Sequence, residues 1–479
     1  MNAPILRLFA VFLALFAALV AFTSWNSVIN AKDYRDNPRN RRAQIEQQRV
    51  HRGAIRASDG SLLARSVKGE AGLYHRRYSA DGRLFAHAIG YDFLRIGRAG
   101  LERSRNAALT GKRNELTSVV DQLRGRRREG DSVITNLDRA AQSVALRALG
   151  GRKGAVVALE PATGKVRVLA STPGYDPNDL DRPGVFARLA SDDVNAPLVD
   201  RATQSGYPPG STFKVVTAAA ALDTGRFTPD SIVNGTSPRV ISGVPLSNFS
   251  DEQFGDINLT TALTHSVNTV WAQVAERVGH DTLDEYMRRF GFFSDPPLDY
   301  PDGQLFPSGV YDQRGRQLKV ASGAVDIGRV GIGQERLRVT PLQMAMVAGA
   351  VANDGVLVRP RLASRIVDPD GRTVRRVGAG RVARVMKASS ARQLTDMMSN
   401  VVKEGTGTAA ALTGIEVAGK TGTAEVDIDR GINQPWFIGF APRNAPRIAV
   451  AVTLERVRGG QGGEVAAPIA KQVLEALLR

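Results

Sequence analysis

The most constraining feature of the sequence is an uncharged apolar stretch, LFAVFLALFAALVAFTSW, which runs from Leu8 to Trp25. Together with Ile5 and Leu6 it reaches the length of about 20 residues that a helix needs to cross a bilayer. A cleaved signal peptide would have an apolar region of about 7–15 residues followed by a small-x-small site. This stretch is longer and ends in Thr-Ser-Trp-Asn. We therefore predict that residues 1–25 form a cytoplasmic tip and an uncleaved transmembrane anchor.

Basic residues outnumber acidic ones, with 64 Lys and Arg against 47 Asp and Glu and a formal net charge of +17. Basic clusters lie at residues 32–56 and 124–128. Such an excess favours polyanionic partners, for example anionic lipid head groups or acidic cell-wall polymers. No helix-turn-helix, RNA-recognition or zinc-finger pattern accompanies the charge, so we expect no nucleic-acid partner.

The residue types also exclude several kinds of site. The chain has no cysteine, which excludes disulfide scaffolds, zinc knuckles, iron–sulfur sites and cysteine nucleophiles. Its five histidines are scattered singly, at positions 51, 75, 87, 265 and 280, and no pair has ligand spacing. We therefore expect no metal site and no cofactor.

The length of 479 residues predicts more than one domain, and the composition changes at Gly150 and Gly151. Within residues 26–150, residues 26–49 are polar and basic, which predicts a juxtamembrane stalk, helical around residues 41–50. Residues 70–150 are rich in glycine and arginine with short apolar runs, which predicts a small irregular domain. Between these two parts an Asp-Gly pair at positions 59 and 60 predicts a β-hairpin. Residues 137–149 have the pattern of a helix.

Residues 151–479 have predicted strands at both ends and helices between them. Two apolar runs, AVVAL and VRVLA, lie on either side of a turn within residues 154–170, and further strands are predicted at residues 416–426, 436–440 and 448–454. Long helices are predicted at residues 213–223, 269–278, 342–352, 391–402 and 466–478. This order predicts one large α+β domain whose central sheet is assembled from both ends of the segment.

The first motif with chemical content is PPGSTFK at residues 208–214. Pro and Gly break the preceding chain, so Ser211 falls in the first turn of the predicted helix, where free N–H groups and the helix dipole favour negative charge. Lys214 is three residues further on, and both side chains therefore share one face of the helix. A neutral lysine can then act as a base toward the serine hydroxyl.

Two further motifs follow at suitable separations. Ser266-Val267-Asn268 precedes the helix that begins at residue 269, and KTGT at residues 420–423 lies within a predicted strand. Each is common on its own, but the order SxxK, SxN, KTGT with gaps of about 50 and about 150 residues is not. This set of motifs is typical of penicillin-binding proteins and class A β-lactamases.

With these motifs the sequence resembles a class B penicillin-binding protein, a monofunctional peptidoglycan transpeptidase. The short juxtamembrane domain, YPPGSTFK and KTGTAE resemble the actinobacterial penicillin-binding protein A group in particular. The resemblance extends from the anchor to Arg479. Further segments that carry it are RGAI at 52–55 with DG at 59–60, GLE at 100–102, GIGQ at 331–334, TPLQ at 340–343 and WFIGFAP at 436–442.

The resemblance implies a stem-peptide substrate ending in D-Ala-D-Ala and a role for each motif. Ser211 would attack the penultimate carbonyl, and Lys214 would accept its proton after desolvation and the nearby charge of Lys420 have lowered its basicity. Ser266 would relay a proton to the leaving amine. Asn268 would hold Lys214 and the substrate amide. An amine of a second stem peptide would then resolve the acyl-enzyme, and penicillins would acylate the same serine.

The KTGT strand and the nucleophile turn would also bind the substrate. By the same resemblance, Thr421, Gly422 and Thr423, together with Lys420, would bind the terminal carboxylate. The backbone N–H groups of Ser211 and Thr423 would form the oxyanion hole, where each donor contributes about 3–4 kcal/mol.

The same resemblance implies the orientation in the membrane and the partners. The substrate lies outside the membrane, so the catalytic domain would too, as a single-pass protein of the cell membrane. More positive charge follows the anchor than precedes it, but long downstream domains translocate largely regardless of charge. Related proteins work with a polytopic SEDS-type glycosyltransferase and with divisome proteins, in septal or elongation wall synthesis. Residues 26–150 are too short, and lack a credible catalytic Glu, for a bifunctional class A enzyme. The resemblance implies instead that they form the stalk and a non-catalytic domain that serves as a pedestal or in dimerisation.

Other functions share the same motifs. In a D,D-carboxypeptidase, water would resolve the acyl-enzyme. A non-catalytic division scaffold or β-lactam sensor would keep the fold without turnover, although intact Ser211, Lys214 and Lys420 argue against it. A β-lactamase is disfavoured by the length and the anchor. His265 stands beside Ser266, but SxN chemistry needs no imidazole, and a Ser-His triad is rejected.

Overall fold

The computed structural model describes residues 2–28, 48–69, 72–79, 82–111, 129–322 and 325–479. The α-helices in these ranges are α1 (Asn2–Val28), α2 (Gly82–Ile89), α3 (Gly100–Ser104), α4 (Asn106–Leu109), α5 (Arg139–Leu149), α6 (Val185–Ala190), α7 (Lys214–Asp223), α8 (Leu259–Thr264), α9 (Asn268–Val278), α10 (His280–Arg289), α11 (Ile327–Gly331), α12 (Pro341–Ala352), α13 (Ala388–Lys403) and α14 (Ala467–Leu478). Short 3-10 helices lie at Pro177–Asp179, Gly210–Phe213, Phe249–Asp251, Asp302–Gln304 and Thr408–Ala410, and a π-helix lies at Gly462–Ala466.

Strands lie on both sides of the helical part of the chain. They are β1 (Ile55–Arg56), β2 (Leu62–Lys68), β3 (Tyr74–Tyr78), β4 (Asp92–Phe93), β5 (Gly97–Arg98), β6 (Ser132–Thr135), β7 (Gly154–Leu159), β8 (Val166–Thr172), β9 (Ile232–Gly235), β10 (Arg239–Ile241), β11 (Val244–Leu246), β12 (Phe254–Asn258), β13 (Gly309–Tyr311), β14 (Gln317–Leu318), β15 (Leu337–Arg338), β16 (Val356–Val358), β17 (Ala363–Val367), β18 (Thr373–Arg376), β19 (Arg381–Arg384), β20 (Ala418–Asp427), β21 (Ile432–Ala441), β22 (Ile448–Leu454) and β23 (Val457–Arg458).

Helix α1 contains the predicted membrane segment. Its residues Ala3–Trp25 have a mean hydropathy of 2.6 and are not buried against any other part of the described chain. The helix is therefore long and apolar enough to cross a bilayer. The predicted stalk helix around residues 41–50 and the basic clusters at residues 32–56 and 124–128 lie wholly or largely outside the described residues.

The N-terminal region is built on a six-stranded sheet with the order β18-β17-β6-β1-β2-β3. The predicted hairpin is present, because β1 pairs antiparallel with β2 across the Asp59-Gly60 turn. Strand β6 runs parallel to β1 and pairs on its other side with β17, where Val133 lies opposite Ile366. Strands from beyond residue 360 thus complete a sheet that begins at residue 55.

A buried cluster of charges joins two of the sequence motifs in this region. Glu102 is fully buried and accepts hydrogen bonds from Arg52 Nε at 2.8 Å and from Arg76 Nε at 2.5 Å. Arg52 also donates to the Glu102 carbonyl and to Asn106 Oδ1, and Arg76 donates to the carbonyl of Gly53. The RGAI and GLE motifs therefore meet in one buried ion-pair network.

The central sheet has the order β20-β21-β22-β7-β8, with every neighbouring pair antiparallel, and β23 adds to β21. Successive side chains of a strand point to opposite faces. On β7, Ala155 and Val157 pack into the cluster with α7, α9 and α12, whereas Val156 and Ala158 pack into the cluster with α14. Both faces of the sheet are covered by helices, which explains why its strands have continuous apolar runs. The predicted α+β fold, with helices on both sides of an antiparallel sheet, is confirmed.

Helix α5 packs with the central sheet although it precedes residue 150. Its residues Ala141, Ala145 and Leu149 belong to the same buried cluster as Val473 and Leu474 of α14. Asp138 caps its N-terminus by accepting from the backbone N–H of Ala141. The helix therefore covers one face of the central sheet together with the C-terminal helix.

The buried charge cluster generates a stability prediction. Glu102→Gln removes the carboxylate that both guanidiniums contact, so that Arg52 keeps only its longer ion pair with Asp92, at 3.4 Å, among the described residues. Removing one partner of a buried ion pair costs about 3–5 kcal/mol. We expect the free energy of unfolding in urea to fall by about that amount, whereas Glu404→Gln, at an exposed position, should change it by less than about 0.5 kcal/mol. Equal stabilities of the two variants would show that the network contributes little.

Candidate active site

The SxxK motif forms a tight turn that leads into a buried helix. Residues Gly210–Phe213 are a 3-10 turn, and the α-helix itself begins at Lys214. Every residue of α7 is buried. Ser211 therefore lies in the 3-10 turn that precedes the α-helix and is partly accessible, whereas the Lys214 side chain is completely buried.

Lys214 is the point where two of the motifs meet. Its Nζ donates to the carbonyl of Ser266 at 2.7 Å and to Asn268 Oδ1 at 2.7 Å, and lies 3.3 Å from Ser266 Oγ. A neutral amine has two hydrogens and one lone pair. The Ser266 carbonyl and the Asn268 amide can take both hydrogens, which leaves the lone pair of a neutral Lys214 available as an acceptor.

The SxN motif occupies the sharp connection between α8 and α9. Ser266 has a φ of +60°, the left-handed region that a non-glycine residue rarely adopts. Such strain is held in place by the surrounding structure and is common at active sites. Asn268 opens α9, and its Nδ2 donates to the carbonyl of Ser247 at 3.2 Å. The amide is therefore oriented from both ends, with its oxygen toward Lys214.

The KTGT motif brings a second buried lysine into the site. Lys420 lies on β20, is fully buried, and donates to the carbonyl of Thr421 at 3.0 Å. Desolvation lowers its pKa to about 7. Desolvation, and after it the charge of Lys420, lower the pKa of Lys214 well below its usual value. Both effects increase the neutral fraction of Lys214, as a general base requires.

The two threonines of KTGT are each held by a neighbouring loop. Thr421 Oγ1 lies 2.6 Å from Thr406 Oγ1, and Thr423 Oγ1 accepts from the backbone N–H of Gly462 at 3.1 Å. Because the Thr423 oxygen is used as an acceptor, its hydroxyl hydrogen remains a donor for an anionic ligand. The two side chains are thus oriented by the protein before any substrate binds.

Glycines let three backbones approach closely around the nucleophile. Gly210 has a φ of +53°, and a Cβ there would meet the Thr423 carbonyl carbon at 2.9 Å. On its other side, Gly210 N–H donates to the Gly333 carbonyl at 3.0 Å, and a Cβ on Gly333 would lie 1.9 Å from the Gly210 carbonyl oxygen. The GIGQ segment and β20 therefore clamp the turn that carries Ser211.

The chain before the nucleophile turn is tied to the central sheet. Trp436 of β21 donates through Nε1 to the carbonyl of Pro208 at 2.8 Å. Glu455, just after β22, accepts from Tyr207 OH at 2.5 Å and pairs with Arg201 at 3.0 Å. These contacts fix the position of the SxxK turn relative to the strands that carry Lys420 and Thr423.

Comparison with known proteins identifies the family. The family model described as the penicillin-binding protein transpeptidase domain matches residues 154–475, and the model of the penicillin-binding protein A dimerisation domain matches residues 52–133. The chain belongs to the penicillin-binding protein transpeptidase family. Among its relatives is the peptidoglycan D,D-transpeptidase PbpA of Mycobacterium tuberculosis, 34% identical over 100% of this chain and 99% of that protein. The MrdA transpeptidase of Acinetobacter baumannii is 30% identical over 82% of this chain and 65% of its own length.

Solved structures of penicillin-binding protein A are also similar. The ceftriaxone acyl-enzyme of the Mycobacterium tuberculosis protein has a TM-score of 0.81, with 33% identity, and covers 91% of this chain and 100% of that one. The penicillin G acyl-enzyme has a TM-score of 0.79, with 34% identity, and covers 90% of this chain and 100% of that one. The predicted assignment to class B, near the actinobacterial penicillin-binding protein A group, is confirmed.

Several residues that support the penicillin-binding site were not singled out from the sequence. Asn248 accepts from the backbone N–H of Thr269 and holds the loop whose Ser247 carbonyl binds Asn268. Thr406 and Gly462 orient the threonines of KTGT. No local sequence pattern marked Asn248 or Gly462, because their contacts are with segments far away in the chain.

The neighbouring histidine takes no part in this arrangement. His265 is exposed, and its ring lies 5.9 Å from that of Phe254. Within the described ranges, no group of three or more His, Asp and Glu side chains is placed to hold a metal ion.

The paired lysines generate a prediction about pH dependence. The rate constant of acylation by a fluorescent penicillin should rise with pH as Lys214 loses its proton. In Lys420→Gln the neighbouring positive charge is gone, the pKa of Lys214 rises, and the midpoint of the profile should move to higher pH. Lys319→Gln, which changes an exposed lysine, should leave the midpoint in place.

A second variant, Lys214→Arg, tests whether Lys214 acts as the base. A guanidinium stays protonated in proteins, so acylation should fall by about 100-fold or more. An unchanged midpoint in Lys420→Gln, or near-normal acylation in Lys214→Arg, would show that a group other than Lys214 acts as the base.

Proposed function

We propose that this penicillin-binding transpeptidase cross-links peptidoglycan, with Ser211 as the nucleophile and Lys214 as its base. The observation that carries the proposal is the buried Lys214 amine, which contacts the SxN motif directly and is influenced by the charge of Lys420. The substrate is a stem peptide that ends in D-Ala-D-Ala. β-Lactams acylate the same serine.

The reaction begins with transfer of the Ser211 hydroxyl proton to the lone pair of Lys214. The Oγ atom forms a bond to the penultimate D-Ala carbonyl carbon, and the carbonyl electrons move onto oxygen. When the intermediate collapses, the C–N bond to the terminal D-Ala breaks. Ser266, 3.3 Å from Lys214 Nζ, passes the proton to the leaving amine. An acceptor amine then attacks the ester, and the same relay runs in reverse to free Ser211.

The remaining residues of the motifs bind and orient the substrate. The N–H groups of Ser211 and Thr423 stabilise the oxyanion, and the close contact of Gly210 with the Thr423 backbone supports this pairing. Lys420 and the hydroxyls of Thr421 and Thr423 bind the terminal carboxylate. Gly422 permits close contact, since a Cβ there would lie 2.7 Å from the Pro209 carbonyl oxygen.

The proposal includes domain boundaries, topology and partners. Residues 1–25 form the anchor, 26–150 the stalk and non-catalytic domain, and 151–479 the transpeptidase domain. The anchor crosses the membrane once and leaves the catalytic domain on the extracytoplasmic side, where the substrate lies. The membrane partners are a SEDS-type glycosyltransferase and divisome proteins. The apolar helix α1 and the family assignment support this arrangement.

The nucleophile assignment is tested by covalent labelling. Wild-type protein should bind one fluorescent penicillin per chain, and Ser211→Ala should abolish labelling because no other group in the site forms the ester. Thr212→Ser, which keeps a hydroxyl at the neighbouring buried position, should retain it. Stoichiometric labelling of Ser211→Ala would contradict the assignment.

The acyl-enzyme partition separates a transpeptidase from a D,D-carboxypeptidase. The protein would be given a thioester mimic of a D-Ala-D-Ala stem peptide, with and without a D-amino acid as acceptor. A transpeptidase orients the second substrate, so a millimolar amine should compete with roughly 55 M water, and most product should be the amine adduct. Rapid release of free acid, unchanged by the acceptor, would assign a carboxypeptidase. Labelling without turnover by full-length protein with a polymerised glycan in a bilayer would favour the scaffold or sensor.

A further inference from the structure

A cleft outside the active site is lined by an unusual excess of arginines. It has a volume of about 300 Å³. It is lined by Pro297–Asp299, by the segment before β17, by strand β18 and by Arg105, which lies between α3 and α4. The side chains that give it charge are Arg105, Asp299, Arg359, Arg361, Arg375 and Arg376. We refer to this site as the arginine cleft. Five arginines and a single acid thus line the cleft.

That carboxylate is fully engaged within the protein. Asp299 pairs with Arg105, and its two oxygens also accept the backbone N–H groups of Leu362 and Ala363, at 2.5 and 2.9 Å. Arg105 Nε is buried and has no hydrogen-bond partner. The only acid that lines the arginine cleft is therefore paired with Arg105, and it acts on Arg361, together with Glu160, without forming an ion pair.

The other arginines have no carboxylate partner among the residues that the structure describes. Arg361 is 7% exposed and donates to the carbonyls of Thr163 and Val377, neither of which carries a charge. Arg359, Arg375 and Arg376 are exposed. Like charges that converge on one cleft repel each other, and this repulsion is relieved when an anion binds between them. Guanidinium groups bind phosphate oxygens in a bidentate manner.

Further arginines extend the positive charge on both sides of the cleft. Arg365 lies opposite Arg376 in the β17–β18 pairing. Arg381 lies opposite Val358 in the β16–β19 pairing. Val358 is the residue before Arg359, so Arg381 lies close to the cleft. Both Arg365 and Arg381 are exposed. A line of charges on either side of a central cleft suits a polymer with repeated anionic groups better than a single small ion.

We propose that the arginine cleft binds a polyanion that carries phosphodiester groups, with one phosphate in the cleft and its neighbours on the flanking arginines. The site is separate from the residues of the three catalytic motifs. It joins Arg105 of the N-terminal region to the strands β17 and β18 that complete the N-terminal sheet. A bound polymer would therefore contact both parts of the chain.

The test uses the full-length protein in detergent and a short fluorescein-labelled poly(glycerol phosphate), with affinity measured by fluorescence anisotropy. Arg375→Gln/Arg376→Gln removes two exposed charges of the cleft. We expect its Kd to rise roughly tenfold or more, because two of the cations that would neutralise phosphates are lost. Arg277→Gln/Arg314→Gln removes two exposed charges elsewhere and should change the Kd less than about twofold. The dependence of Kd on salt concentration should also become weaker in Arg375→Gln/Arg376→Gln, but not in the control variant.

Each other outcome overturns the proposal. Equal weakening by both double variants would attribute binding to the net charge of +17. Equally tight binding of poly-L-glutamate, with the same loss in the cleft variant, would exclude selectivity for phosphate. If the cleft variant loses binding to phosphatidylglycerol vesicles but not to the polymer, the occupant is a membrane surface. Labelling of each variant by fluorescent penicillin checks the fold, because none of these arginines lies in the catalytic site.

Discussion

The catalytic arrangement depends on the burial of a single amine. Lys214 is completely removed from water, which is costly for an ammonium group unless it is paired or neutral. This fold supplies two oxygen acceptors, the Ser266 carbonyl and the Asn268 amide, and places a second lysine nearby. The acceptors orient the amine, whereas burial and the charge of Lys420 favour its neutral form. The result is a buried amine whose neutral form is favoured, at a position that only the tertiary structure creates.

The need to orient this buried amine also constrains the backbone around the site. Ser266 must adopt a left-handed conformation so that its carbonyl turns toward Lys214. The nucleophile turn must fit between the GIGQ segment and β20, where Gly210 and Gly333 have no room for a Cβ. Tyr207 and Trp436 then tie the turn to the central sheet. The motifs of the family are therefore needed for close packing as well as for chemistry, because a shift of the turn would move Ser211 relative to Lys214.

The N-terminal region is joined to the transpeptidase region by shared strands. Strands β17 and β18 leave the catalytic part of the chain and extend the sheet that begins with β1, while α5 packs beside the C-terminal helix on the central sheet. Each region thus contributes an element to the core of the other. The arginine cleft lies at one of these junctions, so an anion bound there would contact both regions.

Local sequence patterns were sufficient to predict the N-terminal apolar helix, the three motifs and most of the helices and strands around them. The strand at 448–454 was predicted to the residue and α9 and α12 to within one, because apolar periodicity and Gly and Pro breaks act over a few residues. The pairing of Val133 with Ile366, the roles of Asn248 and Gly462, and the convergence of arginines on one cleft were not predictable in this way. They depend on hydrogen bonds and packing between segments far apart in the chain. Such contacts leave no periodic signal in either segment, and only the folded structure decides them.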